Sequence, residues 1–256
     1  MSSMRSSSLI EAKRRAAYQA VDENITSESK IIGIGSGSTV VYVIERILQL
    51  KDKLNKDCIF IPTSFQSRLL IIEGGLNLGD IDQYPEIDVT IDGADEVDIN
   101  LDAIKGGGAC HLREKLVAEA AKKFIIVGDY SKRSTTLGEK WKQGVPIEVI
   151  PFAYLRVMNS LKELGCENPV LRMAKAKAGP VISDNGNFII DAYFGLIEQP
   201  KELLEKIKLL TGVVEVGLFI NMSKSAYFGN EDGGVSTIHF KNLEEENYIN
   251  KNSKIE

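Results

Sequence analysis

The chain is poor in the residues that build covalent or metal-bound frameworks. It has three cysteines among 256 residues, Cys58, Cys110 and Cys166. They are odd in number, far apart and without a C-x-x-C pair, so no disulfide framework is expected and a reducing compartment fits. The two histidines, His111 and His239, are too widely separated for a His/Cys zinc pattern. No apolar run approaches the ~18–20 residues of a membrane span, so no membrane partner is expected. Basic residues are not in excess: 31 Lys and Arg face 36 Asp and Glu, for a net charge of −5. That balance argues against nucleic-acid binding through phosphate neutralisation. The first residues, MSSMRSSSLIEAKRR, lack the apolar core of a signal peptide, and Glu11 comes early for an acid-poor transit peptide. They read as a frayed tail leading into a helix, and the protein as cytoplasmic.

What is present is ordinary globular composition, 43% hydrophobic and 26% charged, on a chain long enough for one large or two small domains. Residues 9–23 place Ile10, Ala16, Ala17, Ala20 and Val21 on one helical stripe. IIGI (31–34) is a short buried strand. A glycine turn follows, then a helix over Val40–Leu50 with Ser36 or Ser38 as its N-cap. Further strands are expected in 58–64, 87–91 and 124–127, with helices at 66–73 and 112–122. Strands alternating with helices, without hairpin signals, predict an α/β fold: a Rossmann-like, mostly parallel sheet with helices on both faces. After about residue 140 the pattern changes. VPIEVIP, NPVLRMA and PVISDNGNFIIDAYF are strand-like, and Asp184-Asn185-Gly186 is a hairpin signal. PKELLEKIKLL is a helix opened by proline, and TGVVEVGLFI one more strand. These predict a smaller α+β domain over 141–219, inserted into a catalytic domain made of 1–140 and 220–256. SAYFGNEDGGVSTIHF returns to the first domain, and KNLEEENYINKNSKIE reads as a mobile tail.

The motifs are individually ambiguous. GIGSGST (33–39) fails the dinucleotide fingerprint, because Ser38 stands where the third glycine is required, and no P-loop is present. What remains is a helix N-terminus with hydroxyls at Ser36, Ser38 and Thr39, a place that attracts phosphate. The segment 91–115, IDGADEVDINLDAIKGGGACHLREK, crowds acids together. A calcium loop counted from Asp98 needs glycine at its sixth position and glutamate at its twelfth, where Ala103 and Ala109 stand. Glu96, Asp98 and Asp102 are therefore read as solvated loop. Asp92 follows a buried strand, where ligand crevices of open α/β sheets lie, and Gly93 lets the chain bring Asp95 back. Lys105 with Gly106, Gly107 and Gly108 is either a loop tip or a close approach of backbone amides to an anion. Leu112, Leu116, Val117, Ala120 and Ala121 form the expected core stripe of the next helix, and Glu114 lies about 200° around from Leu112. Glu114 is either a helix-start acid favoured by the dipole or a general base facing the crevice. Lys132 follows another strand, and His111 reads as an ordinary helix-start residue. The turn at 36–39, Asp92–Asp95 and Lys132 all fall at the ends of parallel strands, and Lys105 and Glu114 on a connection between them.

Taken in order, GIGSGST, DGADEVD, KGGGA, REK and GDYSK resemble the A-type ribose-5-phosphate isomerases, and the likeness runs from about residue 10 to 240 through IEVIP, KAGPVISDNGNFIID and GVVEVGLFINM, in a form similar to eukaryotic members. The resemblance implies interconversion of ribose 5-phosphate and ribulose 5-phosphate in the non-oxidative pentose phosphate pathway, without metal or organic cofactor. It implies Glu114 as the proton-shuttling base. It also implies substrate-binding loops at Asp92, Gly93, Ala94 and Asp95, at Lys105 to Gly108 and at Ser36, Gly37, Ser38 and Thr39, with Lys132 as a further ligand and assembly as homodimers or homotetramers. For that chemistry Lys105 and the 106–108 amides suit the developing oxyanion, and Asp92 or Asp95 suits ring opening near O5. A phosphosugar deaminase or lactonase, or a non-catalytic sugar-phosphate sensor, are the competing readings; a sensor has no need of Glu114.

Overall fold

The computed structural model describes residues 2–240, and the charged tail from residue 241 onward lies outside the described residues. In chain order the elements are α1 (Ser2–Asn24), β1 (Ile31–Ile34), α2 (Val40–Gln49), β2 (Ile59–Pro62), α3 (Phe65–Glu73), β3 (Asn77–Leu78), β4 (Ile87–Gly93), β5 (Glu96–Val97), β6 (Ala103–Ile104), α4 (His111–Glu119) and β7 (Ala121–Asp129). There follow β8 (Val145–Val149), α5 (Tyr154–Glu163), β9 (Val170–Leu171), β10 (Phe188–Ala192), α6 (Pro200–Lys208), β11 (Val213–Val216), β12 (Leu218–Phe219), β13 (Ser223–Gly229) and β14 (Val235–His239).

The central sheet has the order β14-β13-β7-β4-β1-β2-β3, and every neighbouring pair is parallel except β13 with β14. Alternation along β7 shows why both faces are covered. Ile125 and Val127 pack with Ala16, Ala20 and Val43 of α1 and α2, while Phe124 and Ile126 pack with Ala118 of α4 and with Phe219 and Phe228. The smaller antiparallel sheet, β11-β8-β10-β9, has its own core of Val145, Ile147, Val157, Leu161, Ile190 and Ile207. A third sheet, β12-β6-β5, joins the two.

Several expectations are corrected. The first helix begins at Ser2 rather than near residue 9, since nothing in the serine run is a glycine or proline that would stop it. Ile10 is exposed, outside the buried alanine stripe. Thr39, not Ser36 or Ser38, is the N-cap of α2, and no side chain caps it. TGVVEVGLFI is two strands in two sheets. Gly217 between them has its amide on the Pro146 carbonyl (2.7 Å) and accepts the Lys105 amide (2.9 Å), and a Cβ there would lie 2.2 Å from the Lys105 oxygen. The Asp184-Asn185-Gly186 turn is present, with Gly186 at φ +82°, but the arm before it makes isolated bridges, Pro180 with Met173 and Ile182 with Phe188, rather than a continuous strand.

The largest corrections fall in the acidic segment. Glu96, Asp98 and Asp102 are buried, not solvated. Glu96 accepts the amides of Gly138 and Lys140 (2.7 Å each) and of Trp141 (3.4 Å). Asp98 accepts those of Asn100 and Asp102, and Asp102 that of Asn221. Burial and the neighbouring Asp102 push the Asp98 carboxyl up to about 6. The core side of α4 is also not the expected one. Leu116 is exposed, whereas His111, Glu114, Lys115, Val117 and Ala118 are buried. The reason is that α4 is enclosed from two directions, by β4 and β7 of the large sheet and by β8 and β11 of the small one. Its polar face therefore meets protein, and Lys115 donates to Glu215 of β11 (2.8 Å).

Candidate active site

The chain leaves β1 for β2 on one side, while β4 lies on the other, so the C-terminal ends of β1 and β4 form the switch point where open α/β sheets hold ligands. Asp92 sits on β4 at this point and is fully buried. Its Oδ1 accepts the amides of Ser36 (2.9 Å) and Gly93 (2.7 Å). A Cβ on Gly35 would lie 2.0 Å from that oxygen, so only glycine lets the turn close on the carboxylate. Ser36 Oγ and Thr63 Oγ1 share a hydrogen bond of 2.7 Å, and the Gly37 amide donates to Gln66 Oε1 (2.8 Å).

Lys105, 2% exposed, is the hub. Its ammonium lies 3.0 Å from Asp92 Oδ2 and 3.5 Å from Glu114 Oε1, and donates to the Gly93 carbonyl. The Phe219 ring lies 5.3 Å from the same nitrogen. Burial works against the ammonium, but the carboxylates of Asp92 and Glu114 outweigh it and hold the Lys105 pKa above the ordinary lysine value. Burial and the nearby Asp92 push the Glu114 carboxyl well above the usual range, against the pull of Lys105. Glu114 Oε2 is buried without a hydrogen-bond partner.

The glycine loop packs against this hub. Gly106 has φ +102°, and a Cβ there would meet the His111 ring at 2.6 Å. The Gly107 amide donates to Asp95 Oδ2 (2.7 Å). Burial raises the Asp95 pKa, opposed first by that amide and then by Lys105. His111, at the start of α4, is enclosed rather than solvated. Its Nε2 lies 3.3 Å from the Glu215 carbonyl, which can only accept, so Nε2 carries the proton. Burial, with Lys115 nearby, lowers its pKa to about 3.

All the expected site residues except Asp92 line one cavity of about 350 Å³. Ser36–Thr39, Gly93–Asp95, Lys105–Gly108, Glu114 and Lys132 surround it, and Asp92 reaches it through Lys105. Lys132 projects there with its ammonium 5.5 Å from the Trp141 ring. The sequence reading missed Lys13, Gln66 and Asp184. Lys13 comes from α1 and donates to Ser38 Oγ (3.0 Å). Asp184, from the turn in the small domain, accepts the Phe65 amide (2.8 Å). Neither lies near the motifs in sequence; the hairpin signal marked the turn at Asp184 but not its contact with α3. Chemically, hydroxyls with Lys13 and Lys132 suit a phosphate, and a high-pKa carboxylate beside a buried cation suits proton transfer at carbon next to a carbonyl. Among the described residues no trio of His, Cys, Asp and Glu side chains is gathered for a metal.

Comparison with known proteins points to the same chemistry. The family model described as ribose 5-phosphate isomerase A (phosphoriboisomerase A) matches residues 59–233. Ribose-5-phosphate isomerase of Mycosarcoma maydis is 62% identical over 227 residues, 88% of this chain and 79% of that one. The Candida albicans protein of the same name is 58% identical over 238 residues, 91% of this chain and 98% of that one. Among solved structures, ribose 5-phosphate isomerase from Plasmodium falciparum superimposes with a TM-score of 0.83 at 41% identity, over 90% of this chain and 98% of that one. A D-ribose-5-phosphate isomerase in complex with phospho-erythronic acid gives 0.83 at 38% identity, over 89% and 97%. With identity this high over nearly the whole chain, the chain belongs to the ribose 5-phosphate isomerase A family.

Proposed function

We propose that this enzyme interconverts ribose 5-phosphate and ribulose 5-phosphate through an enediolate, in the non-oxidative pentose phosphate pathway, with Glu114 as the base. The observation that carries this is a buried carboxylate on the cavity wall, with one oxygen facing Lys105 and the other unpartnered. In the open-chain aldose, Glu114 takes the proton from C2. Negative charge develops on O1, where the Lys105 ammonium and the amides of the glycine loop stabilise it. Glu114 returns its proton to C1 while the O2 hydroxyl proton passes to O1, which leaves the ketose. The raised Glu114 pKa suits both halves, because a base poised near neutral pH can accept and return a proton. Asp92 has both oxygens turned to the Ser36 and Gly93 amides and to Lys105, so it holds the cation. Asp95 lines the cavity with a raised pKa and assists ring opening at O5. Ser36, Ser38, Thr39, Lys13 and Lys132 take the phosphate.

The phospho-erythronic acid held in complex by one structural relative supports this reading: it is a four-carbon acid whose flat, two-oxygen carboxylate resembles an enediolate. The same reading includes a small domain over 141–219 within a chain that assembles as a homodimer or homotetramer in the cytoplasm. The test is direct. Purified protein incubated with ribose 5-phosphate forms the ketose, and a separate incubation with an amino sugar phosphate releases no ammonia. Absence of ketose formation overturns the proposal.

A further inference from the structure

Three consecutive glycines leave the peptide planes of the loop free to turn, because no Cβ restricts them. Nothing in Gly106-Gly107-Gly108 itself decides which way each amide faces. The Gly106 carbonyl closes a turn with the Ala109 amide (2.9 Å), and Arg172, which follows β9 in the small domain, adds a second hold on that carbonyl and fixes the next one. Its guanidinium grips Asp191 of β10 bidentately, Nε to Oδ2 at 2.9 Å and the second terminal nitrogen to Oδ1 at 2.5 Å. The remaining terminal nitrogen donates to two successive loop carbonyls, Gly106 (3.0 Å) and Gly107 (3.1 Å). The arginine backbone is itself fixed, with its amide on the Ile189 carbonyl and its carbonyl receiving the Val181 amide, both at 2.8 Å.

In a trans peptide the N–H points opposite to the C=O, and no cis bond is present among the described residues. Pinning the Gly106 carbonyl to Arg172 therefore sends the Gly107 N–H the other way, where it meets Asp95. Pinning the Gly107 carbonyl sends the Gly108 N–H away from Arg172. Gly108 lines the cavity, and no acceptor among the described residues meets its amide. We propose that Arg172 is a positioning residue for the isomerisation, holding the Gly108 N–H toward the developing oxyanion without lining the cavity itself. This rests on the enediolate reading above. It gives the small domain a part in the chemistry through a rigid fork that lysine cannot reproduce.

The test uses Arg172→Met in the full chain, with kcat and KM for ribose 5-phosphate and the inhibition constant of 4-phospho-erythronate. A misdirected oxyanion donor costs the charged intermediate more than the neutral substrate. We expect kcat to fall by roughly 10–10²-fold while KM moves by less than about threefold. The inhibition constant rises in parallel with the loss of kcat, because the aldonate carries its charge where the enediolate does. Arg172→Lys does not restore activity, and Asp191→Asn gives a smaller loss in the same direction, which keeps the test available if Arg172→Met does not fold. An unchanged kcat overturns the proposal, and so does a fall in kcat with the aldonate bound as tightly as by the wild type. Wild-type turnover, measured in the same assay, reports separately on the enzymatic reading.

Discussion

Two groups of carboxylates share the segment 92–114, and both are buried, yet they meet different partners. Asp92 and Glu114 share one ammonium and leave an oxygen of Glu114 unpartnered. Glu96, Asp98 and Asp102 are met by backbone amides. A carboxylate satisfied by fixed N–H dipoles is a structural clamp, since its proton affinity and position change little when substrate arrives. A carboxylate facing a cavity, with burial and a like charge raising its pKa and one cation opposing, can exchange a proton. Burial thus says little about role here. Asp92 meets both kinds of partner, two amides and the cation, whereas Glu114 differs from Glu96, Asp98 and Asp102 in facing a cation and a cavity in place of backbone amides.

That contrast can be broken at several points. Glu114→Gln keeps the size and removes the base, and kcat should fall by roughly 10²–10⁴-fold with little change in KM; steady-state kinetics with ribose 5-phosphate would show it. Glu96→Gln places an amide nitrogen against backbone N–H donors. It should cost about 1–3 kcal/mol of unfolding free energy, read from urea denaturation. His111 sharpens the comparison as a buried group with the opposite response. Its folded pKa, about 3, lies below the unfolded value. The native state therefore refuses a proton that the unfolded chain accepts, so its contribution is intact above roughly pH 6.5 and is lost as pH falls toward about 3. Asp98, pushed up to about 6, acts with the opposite sign over part of this window. The check is the slope of stability against pH below 6.5, which should be shallower in His111→Gln than in the wild type even though the loss of packing under Gly106 lowers its absolute stability. The smallest effect expected is none: dialysis against EDTA should leave turnover unchanged, and loss of activity restored by zinc or magnesium would contradict the role given to Lys105.

Much of the fold was legible because it rests on periodicity. The alternation of apolar strands with helices marked the parallel sheet, and the hairpin turn with Pro200 marked the second layer of structure. The cavity was legible from position, since residues after parallel strands converge at a switch point. What escaped were contacts made only by tertiary packing. Lys13 reaches Ser38 across 25 residues of chain, and Arg172 reaches Gly106 across 66. Periodicity also misleads where an element is enclosed on two sides. α4 buries His111, Glu114 and Lys115 while Leu116 faces outward, because the small domain supplies partners that a hydrophobic-stripe rule does not anticipate. Glu96 reads as loop surface for the same reason, since the amides that receive it begin 42 residues later.

The most direct test of the division between the two groups is kcat for Glu114→Gln and Glu96→Gln, measured side by side on protein shown to be folded by circular dichroism. The account predicts that Glu114→Gln loses nearly all turnover while folded Glu96→Gln stays within a few-fold of the wild type. Equal losses in the two variants, or near-normal turnover in Glu114→Gln, would contradict it.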